Sequence, residues 1–323
     1  KLIGLGAAYP SRVVTNDDLS QQMDTSDAWI YPRTGIHARR FCSAEESAVT
    51  LAIEAAGKAL AEAESQGVPT SAIGAIVVAS MSADLATPSI AAILQRELRL
   101  PEVPVLDINA ACSGFIYGLE VARSLAAVSG RRYALVVGTE QLSRLLSMED
   151  RSTAILFGDG AGAAVIECTE TAENREEAAP YVRLFGSRGS DVILAPGVYT
   201  GAYEARKAAQ ASTGDAADTA AAHSGAGDER AATNAETVCI DHMLMDGKEV
   251  FMFACDIIPR IIGGLLEQSG ETMEDIDHVV CHQANARIIR HVYRAMHWPA
   301  EKFFMNMETL GNTSAASSPT ALY

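Results

Sequence analysis

The 323-residue sequence predicts an α/β protein whose sheets are mostly buried. Short, nearly unbroken apolar runs such as Ile73–Ala79 and Tyr133–Thr139 have the length and composition of strands covered on both faces. Longer stretches with apolar residues at helical spacing alternate with them. A helix followed by a short apolar strand occurs twice, once early and once late in the chain.

The first such helix is expected from Ser43 to about Ala63, with Ser43 and Glu46 as a capping box. The strand Ile73–Ala79 follows. A short strand at Pro104–Asn109 runs into a helix from Cys112 to about Ser129, and Tyr133–Thr139 forms the next strand. The segment LFGDGAGAAVIE, Leu156 to Glu167, reads as a glycine-bearing turn entering a buried strand. Its GDGAG fits neither a P-loop nor a dinucleotide fingerprint, so the glycines imply close backbone packing. Residues from about Thr200 to Glu236 are dominated by Ala, Gly, Ser, Thr and Asp, which predicts a surface insertion that adds little to the core. Val250 to about Gln268 is again helical, and after the link ETMED comes the strand Ile276–Cys281. Ile73, Ile76 and Val77 in the first strand correspond to Ile276, Val279 and Val280 in the second, which suggests an internal duplication.

Composition narrows the function. With 48% hydrophobic and 20% charged residues, the chain can bury a sizeable core, as one large domain or two halves. No apolar run reaches the length of a membrane span, and KLIGLGAAYP at the start lacks the regions of a signal peptide, so a cytoplasmic location is expected. The six cysteines (Cys42, Cys112, Cys168, Cys239, Cys255 and Cys281) show no CxxC spacing, which points to no metal site and no redox pair, and most are expected to be buried small hydrophobes. A formal charge of −16 argues against nucleic acid as a partner. Arg287, Arg290 and Arg294, spaced by three and four, share one helix face. That face is either a local basic patch for an acidic partner or simply solvated.

Cys112 is the candidate nucleophile. It lies in DINAACSGFIYGLEVA, where a buried strand gives way to a helix that begins in small residues. Backbone N–H groups and the positive end of a helix dipole stabilise a thiolate, so a lowered thiol pKa is expected there. Taken alone, a cysteine at this place is more often part of the core than a catalyst. Two further residues add weight: His282 ends a strand in VVCHQANARII, and Asn312 lies in the small-residue loop GNTSAASSPTAL. Strand ends and loops are where α/β proteins gather catalytic groups. Two side-chain N–H donors beside a thiolate would polarise a carbonyl and stabilise an enolate formed by loss of carbon dioxide.

On these residues the chain resembles the β-ketoacyl-acyl-carrier-protein synthase III family of the thiolase superfamily. The likeness covers almost the whole length: DTSDAWIYPRTGI, ACSGF around Cys112, YALVVGTE, FGDGAGAAV, CHQANARII around His282 and GNTSAAS around Asn312, in that order. The resemblance implies a homodimer of thiolase fold, each subunit made of two similar halves in layered αβαβα order. Residues 1–167 would form the half with the nucleophile and 168–323 the half with His282 and Asn312. The reaction implied loads an acyl group from acyl-coenzyme A onto Cys112, then joins it to malonyl-acyl-carrier protein by decarboxylative Claisen condensation. No tightly bound cofactor is implied, coenzyme A thioester being a substrate. By matching positions, Trp29, Arg33 and Arg151 would contact the adenine and phosphates of coenzyme A, and Arg287, with Arg290 and Arg294, would dock the acidic carrier protein.

Two departures stand out. Before Pro88, where many members place a phenylalanine that closes the acyl channel of the partner subunit, this chain has Thr87, which predicts room for a longer or branched primer. The family also continues past the position of Tyr323 with a helix, two strands and a glycine-rich loop that supplies an oxyanion-hole donor, so the sequence is expected to lack its C-terminal end. Three other readings compete. Relatives of this synthase in secondary metabolism use other acyl thioesters, papain-like hydrolases share the order Cys, His, Asn in a different local context, and a non-catalytic binding protein could retain the motifs.

Overall fold

The apolar runs form one mixed sheet. In a computed structural model, which describes residues 1–168, 192–195 and 241–323, seven strands precede residue 168: β1 (Leu2–Ala8), β2 (Arg12–Thr15), β3 (Ala38–Phe41), β4 (Ile73–Ala79), β5 (Val105–Ile108), β6 (Tyr133–Glu140) and β7 (Gly160–Glu167). Five of them make a sheet in the order β1-β7-β6-β4-β5, while β2 and β3 pair apart from it. The β5–β4–β6 pairs are parallel, and β6–β7 and β7–β1 are antiparallel. Every residue of β4 is buried, as a strand covered on both faces requires. The expected insertion at 200–236 and Cys239 lie outside the described residues.

Helices cover both faces. Along the chain these are α1 (Asn16–Ser20), α2 (Asp27–Thr34), α3 (Ala48–Ser65), α4 (Ile90–Glu97), α5 (Gly114–Val128) and α6 (Arg151–Ala154). The alanine-rich face of α3 (Ala48, Ala52, Ala55, Ala56, Ala59 and Ala63) packs with Ile73, Ile76, Val78 and Leu135 in one core cluster. On the opposite face, Phe115, Ala122 and Ala126 of α5 meet Val77, Val136 and Ala164. A five-stranded sheet between two helical layers is thus complete within the first 168 residues.

The α3 start differs from expectation. Ser43 and Glu46 form their own turn, in which the Ser43 N–H donates to the Glu46 carboxylate at 2.8 Å. The helix begins at Ala48, with Ser47 as N-cap and Thr50 closing the capping box. Glu46 is held outside the helix because its other carboxylate oxygen accepts from the Ser11 N–H at 2.8 Å.

The later part of the chain is built on α7 (Gly247–Ser269), α8 (Ala286–Ala295), α9 (Met307–Leu310) and α10 (Ser317–Leu322). Ile288, Ile289, Val292 and Phe303 form a core against Phe251, Ile258 and Ile262 of α7. The strand expected at Ile276–Cys281 is reduced to a single bridge between Val279 and Phe303. The physical reason is pairing: among the described residues only the Phe303 position offers it a ladder partner. Its alternation is also incomplete, with Asp277 and His278 both exposed.

The glycines of β6 and β7 explain how the end of the described chain reaches the sheet. Gly138 and Gly162 are directly opposed in the β6–β7 ladder. A Cβ on Gly138 would stand 2.3 Å from the Ala315 carbonyl oxygen, and one on Gly162 would stand 2.7 Å from Pro319 and the Thr320 nitrogen. The close packing expected of the GDGAG run is therefore present, and the paired glycines form a trough in which residues 315–320 lie. Gly138→Ala is expected to cost about 1–3 kcal/mol, because the obstructing atom is backbone and cannot rotate aside. Chemical denaturation checks this, and an unchanged midpoint and slope would show that the segment has room to move.

Candidate active site

Cys112 occupies the one-turn 3-10 helix Ala111–Ser113, which leads directly into α5. The residue before it, Ala111, has φ 44°, a left-handed value that costs a residue with a β-carbon on the order of 1–3 kcal/mol. The same construction recurs at the other end of the chain. Ser314, at φ 48°, opens the 3-10 turn Ser314–Ala316, which leads into α10. The two turns pack against each other.

Cys112 is half-buried and free. The lowered thiol pKa expected from its place at a helix start is not found. Burial pushes the thiol above its ordinary value, and hydrogen bonds from Ser314 and the Cys112 backbone only partly offset this. The correction has a plain cause: taking a sulfur anion out of water costs more than one hydroxyl and one N–H return.

The stretch from Asn312 to Ser317 brings the three expected residues together. Asn312 is buried, and its Oδ1 accepts from the Ser314 N–H at 2.9 Å. That bond fixes the amide and leaves Nδ2 as the free donor, with no acceptor for it among the described residues. The Ser314 hydroxyl meets the Met81 sulfur at 4.0 Å, on the turn that packs against the one carrying Cys112. His282 Nδ1 lies 2.5 Å from Ser317 Oγ, and the Gln283 N–H donates to the same oxygen at 3.3 Å. In the tautomer where the Ser317 hydroxyl donates to Nδ1, the imidazole proton sits on Nε2 and is free to donate. Burial lowers the His282 pKa to about 4, so the ring is neutral at pH 7. The result is a neutral N–H donor and a carboxamide donor held by one short segment, which packs against the turn that carries Cys112.

A second cluster surrounds Trp29, on α2. The Arg33 and Arg151 guanidinium carbons lie 4.4 and 4.3 Å from its ring centroid. Arg33 also donates to the Trp29 carbonyl at 3.0 Å and Arg151 to that of Asp24 at 2.6 Å. Both arginines are exposed, which leaves two cations and an aromatic face at the surface. This cluster adjoins the arginine helix: the Asn285 side chain caps α8 by accepting from the Arg287 N–H at 2.8 Å, and it donates to the Arg33 carbonyl at 3.1 Å. On α8 itself Arg287 and Arg294 are exposed and Arg290 is half-buried. Thr87 is exposed in the loop between β4 and α4, next to the exposed Leu85. Of the other described cysteines only Cys168 is buried, so the expectation that most are core residues fails. Cys42, Cys255 and Cys281 line partly open positions.

Sequence reasoning passed over Ser314, Ser317, Gln283 and Glu140. Gln283 is fully buried and ties the His282 strand end to the chain beyond it, donating to Cys281 and Phe304 carbonyls at 2.8 and 3.2 Å and accepting from the Asn306 N–H at 3.0 Å. Glu140 closes the otherwise apolar run YALVVGTE, and a carboxylate ending a fully buried strand was a readable signal.

The chain is similar to known proteins over its whole length. The family model described as 3-Oxoacyl-[acyl-carrier-protein (ACP)] synthase III matches residues 106–179, and its C-terminal counterpart matches 266–323. The chain is 40% identical, over its full length and 88% of the relative's, to the Beta-ketoacyl-[acyl-carrier-protein] synthase III of Acholeplasma laidlawii. Among solved structures it is similar to the 3-oxoacyl-(acyl carrier protein) synthase III of Pseudomonas aeruginosa PAO1, with a TM-score of 0.79 and 32% identity, covering 99% of this chain and 87% of that one. It is also similar to the priming β-ketosynthase of a polyketide biosynthetic pathway, with a TM-score of 0.73 and 28% identity, covering 100% of this chain and 86% of that one.

Proposed function

Because this chain belongs to the β-ketoacyl-[acyl-carrier-protein] synthase III family, and so is a condensing acyltransferase of thiolase fold that initiates fatty acid synthesis, we propose that Cys112, His282 and Asn312 divide its two half-reactions between them. The observation that carries this reading is the convergence of all three on residues 312–317. In the first half-reaction the Cys112 sulfur attacks the carbonyl of an acyl-coenzyme A. A carbon–sulfur bond forms, coenzyme A leaves as a thiol with the proton that Cys112 gives up, and the acyl group stays on the enzyme. In the second, malonyl-acyl-carrier protein loses carbon dioxide, and the developing enolate oxygen accepts hydrogen bonds from His282 Nε2–H and Asn312 Nδ2. The enolate carbon then attacks the acyl-enzyme carbonyl, a carbon–carbon bond forms as the acyl–sulfur bond breaks, and Cys112 leaves as a thiolate that takes a proton from solvent. A neutral imidazole suits this role, since it donates to an oxyanion without bringing a charge that must be desolvated.

The surface features supply binding for both substrates. Trp29, Arg33 and Arg151 hold the adenine and phosphates of coenzyme A by stacking and charge. Arg287, with Arg290 and Arg294, meets the acidic carrier protein beside them, and the shared hydrogen bonds of Asn285 put both on one rim. The working form is a homodimer in the cytoplasm, in which the loop bearing Thr87 borders the partner's acyl channel and admits primers longer or more branched than acetyl. Its two halves, 1–167 and 168–323, are related as the two matching turns at 111–114 and 314–317 suggest. Among the described residues no helix is long and apolar enough to cross a membrane.

Intact mass measurement after incubation with a panel of acyl-coenzyme A thioesters tests the reading. One acyl mass is expected to add to the protein, to map to Cys112, and to be larger than acetyl for the preferred primer. An unmodified protein with every thioester, or a label on another cysteine, would overturn it.

A further inference from the structure

Behind His282 lies a buried hydroxyl that neither half-reaction touches. Ser317, the first residue of α10, is buried and places its Oγ 2.5 Å from His282 Nδ1. The Gln283 N–H donates to the same oxygen at 3.3 Å. Both neighbours of the ring are themselves fixed. The fully buried Gln283 side chain donates to the Cys281 and Phe304 carbonyls and accepts from the Asn306 N–H at 3.0 Å. Ser317 lies within the strip 315–320 that fills the trough above Gly138 and Gly162, and the Thr320 hydroxyl donates to its carbonyl at 3.0 Å.

The contact between Ser317 and Nδ1 fits two proton arrangements. Either Nδ1–H donates to the serine and Nε2 presents a lone pair, or the hydroxyl donates to Nδ1 and Nε2 carries the hydrogen. The consequences are opposite, because a lone pair would repel the enolate oxygen that an N–H would hold. The hydroxyl hydrogen decides between them. Among the described residues, His282 Nδ1 is the acceptor found for it. In the first arrangement the Ser317 oxygen takes both Nδ1–H and the Gln283 N–H, and a buried O–H is left without a partner. Such an orphaned donor is costly, whereas the second arrangement satisfies all three groups.

We propose that Ser317 is a positioning residue that donates to Nδ1 and so holds His282 in the tautomer whose hydrogen is on Nε2. This rests on the reading of His282 as the enolate donor. In a neutral imidazole, the hydrogen bond made by one nitrogen sets which nitrogen carries the hydrogen. Burial keeps the ring neutral at pH 7, so it has one hydrogen to place.

Nitrogen NMR of protein carrying isotope-labelled histidine tests this, with the His282 signals identified by their loss in His282→Ala. The unchanged protein is expected to show a protonated Nε2 and a bare Nδ1. In Ser317→Ala the preference for the Nε2 hydrogen is expected to fall about tenfold, the effect of one hydrogen bond. Decarboxylation of the malonyl thioester is expected to fall by about the same factor, with acylation of Cys112 changed by no more than about twofold. A protonated Nδ1 in the unchanged protein, or an unaltered nitrogen pattern in a cooperatively melting Ser317→Ala, would overturn the proposal. An altered pattern with undiminished decarboxylation would sink the reading of His282 as enolate donor and leave the hold of Ser317 standing. Diminished decarboxylation with an unaltered pattern would do the reverse.

Discussion

Alanine at position 112 is expected to abolish the acyl-enzyme and to lower condensation by roughly 10³-fold or more, while decarboxylation of the malonyl thioester persists. The asymmetry follows from the division of labour. The acyl group needs a covalent attachment point, and the other described thiols do not meet the Ser314 turn. Loss of carbon dioxide needs only donors facing the enolate oxygen, and His282 and Asn312 are held by Ser317 and Ser314 independently of the sulfur atom. Removing a half-buried side chain this small leaves the turn Ala111–Ser113 in place. The check is twofold: intact mass for the adduct, and release of labelled carbon dioxide for the second step. Simultaneous loss of both would show that Cys112 also shapes the malonyl site.

Asn312→Ala is expected to give the opposite pattern, with Cys112 still acylated and decarboxylation down about 10²- to 10³-fold, the usual effect of deleting one oxyanion donor. Alanine also frees the Ser314 N–H, which Asn312 Oδ1 now accepts at 2.9 Å, so part of any loss could come from a disordered turn. Asn312→Asp separates the two causes. It keeps the acceptor for Ser314 and replaces the donor with an oxygen, so it should preserve the melting temperature and still lose decarboxylation. If the aspartate variant kept the native rate, the carboxamide would not be a donor to the enolate.

Much of this arrangement could be read before any coordinates. The runs Ile73–Ala79 and Tyr133–Thr139 lie within one residue of β4 and β6, because a strand buried on both faces must be apolar throughout and little else in a sequence looks like that. Cys112, His282 and Asn312 were visible as chemistry-bearing residues at element ends. Ile276–Cys281 misled because an apolar run states a wish for burial but not the presence of a pairing partner. Ser43 and Glu46 misled because a capping box and a free-standing turn share the same local hydrogen bond, and only the distant Ser11 decides between them. The raised thiol pKa of Cys112 was out of reach for a related reason. A helix start is a local property, whereas desolvation depends on what the remote residues 312–317 place above it. Ser314 and Ser317 are ordinary serines in a small-residue loop until the fold sets one against a sulfur and the other against an imidazole.

The paired glycines of β6 and β7 have a consequence for how this molecule acquires activity. Along the chain Cys112 precedes His282 by 170 residues and Asn312 by 200, and every strand of the five-stranded sheet lies within the first 168 residues. Residues 315–320 occupy the groove above Gly138 and Gly162, so close backbone packing at two glycines is what joins the late loop of Asn312 to the sheet that carries Cys112.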